Sequence, residues 1–335
     1  MRKALITGVN GQDGSYLAEL LVGKGYQVIG TVRSYPKSGS DEDRLIRLAG
    51  AIEVVESELV SDYAVESLLR QWCPNEVYNL AARASSSELW TDPVSTGQLN
   101  ALTVVRFLDA IHRVDKRIKF VQASSSEVFG NAAEVPQRES TPLHPRNPYG
   151  VAKAFGHWMT AVYREQRDLF SCSCILYNHE SPRRGKEFVT RKISNGAAMI
   201  KLGLAQELRL GNLEARRDWG FAGDYVHAMW LSLQQSVPSD YLVATGETHS
   251  VREFCEVAFS HVGLSYEDYV VQDCESFRSP ETVLLVGDPE KARRILGWTP
   301  TVSFKELVIM MVEADLRSLA GEAGRALPST QLGCF

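Results

Sequence analysis

Residues 3–14 read KALITGVNGQDG, and the way this stretch folds decides the architecture of the chain. Lys3–Thr7 is an apolar run ending at Gly8, and Gly8, Gly11 and Gly14 fall as G-x-x-G-x-x-G. The pattern predicts a strand over Lys3–Thr7, an amphipathic helix to about Lys24, then Gly25 and a second strand over Gln27–Gly30. Strand, glycine turn, helix and strand make a dinucleotide-binding unit. Gly8 allows the tight turn, Gly11 lets backbone approach a pyrophosphate, and Gly14 lets the helix pack on the strand. The helix N-terminus offers N–H donors and a positive dipole to the phosphates.

Charge at the end of the second strand selects the dinucleotide. An NAD site places Asp or Glu there to accept from the ribose 2′-hydroxyl. This chain has Thr31-Val32-Arg33-Ser34 and no acid until Asp41, so Arg33 is expected to meet a 2′-phosphate and the cofactor to be NADP. A solvated surface arginine is the alternative reading of Arg33.

Further strands are predicted over Glu76–Ala81, Lys119–Ala123 and Ser171–Tyr177, each leading into small or polar residues. Alternating strands and helices imply an α/β fold, a Rossmann-type doubly wound parallel sheet whose ligands sit at the carboxyl ends of the strands. Asn79, Ser125, Glu127, Asn178 and His179 fall at or just past such ends. The later half is less regular. Lys192–Leu202, Ser250–Val262 and Phe304–Leu319 read as helices, Asn212–Tyr225 as a charged loop, and Phe277–Pro289 as loop and strand. The expected division is a nucleotide-binding domain over 1–175, with later returns to the sheet. A smaller C-terminal substrate-binding lobe covers 176–319 and a frayed tail 320–335.

Bulk properties describe an ordinary enzyme: 335 residues, net charge −5 and 44% hydrophobic residues suffice for an α/β core plus a smaller lobe. No basic cluster suggests nucleic acid, and no apolar run approaches the ~20 residues of a membrane span. Met1-Arg2-Lys3 leads straight into the first strand, so no signal peptide and a cytoplasmic location are expected. The six cysteines are scattered, Cys172-Ser173-Cys174 is not a C-x-x-C, and no metal site is expected.

Tyr149 and Lys153 stand four residues apart, which puts them on one face of a helix. A lysine ammonium beside a tyrosine favours the phenolate and makes a general base suited to an alcohol proton. The pair alone would also suit two ordinary amphipathic positions. The glycine loop and Ser124-Ser125-Ser126-Glu127 decide for catalysis.

Thr7–Gly14 (TGVNGQDG), Ser124–Gly130 (SSSEVFG), the Tyr149/Lys153 pair, Tyr177–Arg184 (YNHESPRR), Glu187–Lys192 (EFVTRK) and Leu210–Tyr225 (LGNLEARRDWGFAGDY) resemble an extended short-chain dehydrogenase/reductase. More narrowly the chain is similar to the GDP-mannose 4,6-dehydratase family, from about residue 3 to residue 317. The resemblance implies that Tyr149, acidified by Lys153, takes the proton of the sugar C4 hydroxyl. Ser125 would hydrogen-bond O4, and Glu127 would remove the C5 proton as water leaves from C6. It also implies that Gly8, Asn10, Gly11, Gln12, Asp13 and Gly14 hold the cofactor pyrophosphate and Arg33 the 2′-phosphate. Glu58 and Leu59 would lie by the adenine. Leu80, Ala81, Ala82, Lys153, His179 and Arg184 would line the nicotinamide side. Asn178, Val189, Lys192, Arg217, Arg278 and Glu281 would hold the GDP half of a GDP-sugar substrate, and a homodimer or homotetramer is expected.

The chain also departs from that pattern. Residues 81–90 read AARASSSELW where the family has A-A-Q-S, so Arg83 introduces a cation and Ala84 removes a hydroxyl expected to face the sugar. Ser34–Asp43 (SYPKSGSDED) differs from a loop used in tetramer contacts. Another GDP-sugar, a heptose or amino sugar, therefore stays open. A sugar-nucleotide epimerase would lack the acid at 127, and a non-catalytic NADP-binding regulator would lose the tyrosine or the lysine.

Overall fold

The computed structural model describes residues 1–35, 44–84, 90–273 and 283–322. The strands in it are β1 Lys3–Thr7, β2 Gln27–Val32, β3 Glu53–Glu56, β4 Glu76–Asn79, β5 Lys119–Ser125, β6 Ser171–Leu176, β7 Asn178–Glu180, β8 Leu208–Leu210, β9 Arg216–Arg217, β10 Trp219–Phe221, β11 Tyr241–Val243, β12 His249–Ser250 and β13 Val270–Gln272. The α-helices are α1 Gln12–Gly23, α2 Asp62–Trp72, α3 Pro93–Gly97, α4 Thr103–Val114, α5 Pro148–Arg167, α6 Val189–Lys201, α7 Ala222–Gln234, α8 Val251–His261 and α9 Phe304–Glu322.

Seven strands form one sheet in the order β11-β6-β5-β4-β1-β2-β3, every pair parallel. Alternation along β1 explains why helices cover both faces. Ala4 and Ile6 enter the core that includes Leu17 and Leu21 of α1 and Val226 and Met229 of α7. Leu5, pointing the other way, joins Val65 and Leu69 of α2 and Val104, Phe107 and Ile111 of α4. The expected doubly wound sheet is present.

The chain divides into two compact units. One comprises Met1–His179, Arg217–Thr248 and the described part of Thr282–Thr301; the other comprises the described parts of Glu180–Arg216, His249–Glu281 and Val302–Phe335. The chain thus leaves the first unit at His179 rather than near 175, and returns to it twice. In the second unit α6, α8 and α9 pack together, and β8 pairs with β13 in parallel. Its interior holds a buried polar cluster: Arg191 of α6 pairs with Asp315 of α9, and Ser194 Oγ donates to Asp315 Oδ2 at 2.6 Å.

Several expected boundaries shift. β2 continues to Val32, and α6 begins at Val189 instead of Lys192. β4 stops at Asn79, short of Ala81, because the next two backbone N–H groups turn to a side chain (below). The expected loop 212–225 contains β9, β10 and the first turn of α7, since Trp219, Ala222 and Tyr225 are buried. Ala320 is buried in the last turn of α9, so the tail does not begin there. No helix among the described residues is long and apolar enough to cross a membrane, and no cluster of three or more of their His, Cys, Asp and Glu residues is arranged to hold a metal ion.

Candidate active site

The turn after β1 is built by backbone. Gly8 adopts φ +68°, a left-handed conformation that glycine reaches without strain. Its N–H and that of Val9 both donate to Thr31 O of β2, at 3.0 and 3.2 Å, and Gly11 N donates to Gly8 O at 3.0 Å. A Cβ on Gly14 would lie 2.4 Å from Gly8 O and 2.6 Å from Val9 Cα, so only hydrogen fits. α1 starts at Gln12 with Gly11 as its N-cap and no capping side chain, which leaves the helix terminus to an anion. This cradle fits a dinucleotide pyrophosphate.

Beside it, Asp13 and His179 pair. His179 Nε2 lies 2.9 Å from Asp13 Oδ2, and its Nδ1 lies 2.7 Å from Tyr177 O. Each ring nitrogen thus faces an oxygen that can accept from it, which fixes the orientation of the ring. The ring stacks on Tyr225 with centroids 4.8 Å apart. Gln12 Nε2 donates to His179 O at 3.1 Å, tying the glycine turn to β7.

A chain of buried hydrogen bonds runs beneath the strand ends. Thr7 Oγ1 donates to Asn79 Oδ1 at 2.9 Å and accepts from Leu80 N and Ala81 N, each at 2.9 Å. Asn79 Nδ2 donates to Gln122 Oε1 at 2.7 Å, and Gln122 Nε2 to Ala123 O at 2.9 Å. Lys153 Nζ donates to that same carbonyl at 2.7 Å. The network joins β1, β4 and β5 to Lys153.

α5 carries the Tyr149/Lys153 pair. Asn147 is its N-cap and Pro148 its first residue, so the helix starts where Tyr149 falls in the first turn and Lys153 in the second. Lys153 is 3% exposed, and its Nζ lies 5.6 Å from the Tyr149 ring centroid. Burial lowers the lysine pKa to about 8, against a smaller opposing pull from Asp13. Glu127 sits in a single 3-10 turn, Ser126–Val128, just past β5. Ser125 Oγ accepts from Glu127 N at 3.2 Å, and Asn147 Nδ2 donates to Glu127 Oε2 at 2.8 Å. Gly150 lets the two pieces close: a Cβ there would stand 2.6 Å from Glu127 O.

The remaining expected cofactor residues of this unit lie at the same strand ends. Arg33 is exposed just after β2, with exposed Glu58 and buried Leu59 just after β3. Half-buried Leu80, Ala81 and Ala82 follow β4, Asn10 lies in the glycine turn, and Asn178 opens β7. Arg217 is half-buried in the same unit. Arg184, Val189 and Lys192 belong to the second unit. Arg184 Nε lies 3.1 Å from Glu180 Oε2 with its guanidinium 3.6 Å over Phe188, and Val189 and exposed Lys192 occupy the first turn of α6. Arg278 and Glu281 lie outside the described residues, as do 36–43 and 85–89.

Arg83 is not a loose cation. Its Nη1 pairs with Asp92 Oδ2 at 2.7 Å, while Asp92 Oδ1 caps α3 by accepting from Ser95 N at 3.1 Å. Hydrogen bonds from Ser95, and then from Arg83, hold the Asp92 carboxyl below its usual range. Asn100 clamps the Arg83 backbone, accepting from its N–H at 2.8 Å and donating to its carbonyl at 2.9 Å. Asn147, Gln122, Asp92 and Asn100 were not singled out by the sequence. Asn147-Pro148 and Asp92-Pro93, both helix-start signatures, carried a local signal.

A parallel Rossmann sheet with a glycine turn after β1 and a Tyr-x-x-x-Lys pair at the mouth of β5 defines an extended short-chain dehydrogenase/reductase. Comparison places the chain more narrowly: the family model described as GDP-mannose 4,6 dehydratase matches residues 5–311, and the chain belongs to that family. It is 48% identical over 325 residues to GDP-mannose 4,6 dehydratase 2 of Arabidopsis thaliana, covering 93% of this chain and 86% of that one. It is 42% identical over 340 residues to the human GDP-mannose 4,6 dehydratase, covering 93% and 91%. Among solved structures, UDP-glucose 4-epimerase from Thermotoga maritima with UDP-glucose superposes with a TM-score of 0.83 at 24% identity, covering 95% and 99%, and so shares the fold.

Proposed function

We propose that this chain is an NADP-dependent 4,6-dehydratase that converts GDP-mannose to GDP-4-keto-6-deoxymannose. The observation that carries the reading is the packing of Glu127 against the first turn of the helix bearing Tyr149 and Lys153. An alcohol oxidation needs only the tyrosine–lysine pair; an added carboxylate at its side supplies a base for a second proton. NADP, held by the glycine turn and Arg33, would supply the hydride acceptor for C4 and the hydride donor for C6. Tyr149 takes the C4 hydroxyl proton, favoured as phenolate by the Lys153 ammonium, and Ser125 hydrogen-bonds O4. The 4-ketone acidifies C5–H; Glu127 takes that proton and delivers it to the C6 hydroxyl as the C6–O bond breaks, releasing water.

The cofactor assignment rests on Arg33 at the end of β2, with Gly8, Asn10, Gly11, Gln12, Asp13 and Gly14 around the pyrophosphate. Glu58, Leu59, Leu80–Ala82, His179 and Arg184 complete the proposed cofactor set. Asn178, Val189, Lys192, Arg217, Arg278 and Glu281 are proposed for the GDP half. The Arg83–Asp92 pair favours GDP-mannose over a differently substituted GDP-sugar, because the extra cation is already compensated. The test is to incubate purified protein with a panel of GDP- and UDP-sugars without added reductant. A product lighter by one water from GDP-mannose supports the proposal; turnover of other sugars alone, or of none, refutes it.

A homo-oligomer is part of this reading. Val151, Phe155, Trp158 and Val162 form an exposed apolar stripe along α5 at i, i+4, i+7 and i+11. A monomeric mass by light scattering would overturn it. Free thiols at Cys73, Cys172, Cys174 and Cys255 suit a reducing, cytoplasmic setting, which cell fractionation would check.

A further inference from the structure

The geometry points to Asn147 as the residue that positions the Glu127 carboxylate for the elimination half of the reaction. The inference rests on the function proposed above. Asn147 makes two bonds at once. Its Oδ1 accepts from Gly150 N at 2.8 Å, and its Nδ2 donates to Glu127 Oε2 at 2.8 Å. The amide orientation is fixed by its partners: the Gly150 N–H can only donate, so oxygen faces it and nitrogen faces the carboxylate. Backbone holds the side chain in place as well, because Asn147 sits at φ −142°, ψ 161° as the N-cap, with Pro148 locking the next residue.

Other residues could do half of this. Serine, threonine and aspartate cap a helix as well as asparagine does. Aspartate, with the same shape, presents only acceptors and would turn an oxygen toward Glu127. Asparagine adds a donor aimed at an ionised base, which keeps the carboxylate oriented and available for a proton. Tyr149 is two residues on in the same turn, so a single side chain registers the oxidation base and the elimination base against each other. The step it serves is balanced within the substrate: the C5–H pair becomes the C5–C6 double bond, the C5 proton goes to Glu127, and Glu127 passes it to the departing C6 hydroxyl, which leaves as water.

The test uses Asn147→Asp, which keeps the cap and removes the donor, beside Asn147→Ala, which removes both. Three quantities are read on adding GDP-mannose to the NADP-loaded enzyme. They are the near-ultraviolet absorbance of enzyme-bound NADPH, the uptake of solvent deuterium at C5, and the release of dehydrated sugar. Melting temperatures are measured in parallel. With Asn147→Asp, NADPH should still form while deuterium uptake and product release fall together, roughly tenfold to a hundredfold, in kcat more than in KM. Glu127→Gln should show the same uncoupling more completely, and Asn147→Ala the same uncoupling with a lower melting temperature. Wild-type release by Asn147→Asp, or an equal fall in NADPH formation and release, would overturn the inference. A wild-type enzyme that forms neither NADPH nor dehydrated sugar from GDP-mannose would instead defeat the proposed function, and this inference with it.

Discussion

The turn after β1 and the segment after β4 leave the sheet side by side, for Thr7 pairs with Asn79 in register. They are held in different ways. Residues 8–14 are fixed by main-chain bonds to Thr31 and to one another, and by the absence of side chains at Gly8 and Gly14. Residues 80–83 are fixed by side chains from elsewhere: Thr7 takes the N–H groups of Leu80 and Ala81, Asn100 clamps residue 83, and Asp92 holds its guanidinium. A turn built from its own backbone tolerates few substitutions and reads the same in any such chain. A segment held by distant side chains can change sequence if its partners change too. That accounts for a family-like 8–14 next to a divergent 81–90.

The largest expected effect comes from breaking the backbone-built turn. Gly14→Ala puts a Cβ against main-chain atoms that cannot swing aside, costing about 3 kcal/mol or more of stability. Thermal unfolding should show a fall of several degrees, and calorimetry a loss of NADP binding. A variant with unchanged melting temperature and affinity would mean that the turn is not rigid.

Thr7→Val tests the joint between the two regions. It leaves two backbone N–H groups and Asn79 Oδ1 without their partner, for roughly 2 kcal/mol, while Thr7→Ser should restore most of the loss. Equal stabilities for the valine and serine variants would show that the hydroxyl is not the anchor.

The network ends at Lys153, where pH separates activity from stability. Burial lowers its pKa to about 8, so the ammonium beside Tyr149 is present below that pH and lost above it. Activity should therefore decline above pH 8, by about tenfold per unit. The stability term runs the other way. Between about 8 and the ordinary lysine value the unfolded chain holds a proton that the folded one does not, so this group's contribution to stability rises with pH across that window. Lys153→Met should remove that rise, seen in urea unfolding of both proteins at several pH values. A rate profile flat to pH 10 would break the assignment.

The smallest effect belongs to the divergent segment. The Arg83–Asp92 pair is partly exposed, so Arg83→Gln should move the melting temperature by no more than about two degrees. On GDP-mannose its kcat/KM should stay within about threefold. A large gain on that sugar, at the expense of others, would show that Arg83 acts on the substrate despite its pairing.

Most of the nucleotide-binding unit was legible in the chain. Gly8, Gly11 and Gly14 state their backbone requirements locally, and the apolar strands alternate with helices at readable periods. Tyr149 and Lys153 declare a shared face by spacing alone. The irregular stretch 212–225 was not legible, because β9 and β10 are too short to show a period, and Trp219 and Tyr225 are buried by residues distant in sequence. The pairing of Arg83 was not legible for a related reason: a charge is visible in sequence, while its partner nine residues on is not.

Sequence by itself therefore determined the parallel sheet, the glycine turn after its first strand and the shared helix face of Tyr149 and Lys153, since each depends on local backbone geometry or on a spacing within one element. Only the tertiary structure decided how the proposed bases and Lys153 are held. Glu127 meets Asn147 across 20 residues, Lys153 meets Ala123 across 30, and Thr7 meets Asn79 across 72. Hydrogen bonds act over about 3 Å regardless of separation along the chain, so the partners that orient a base become known only when the strands that carry them stand side by side.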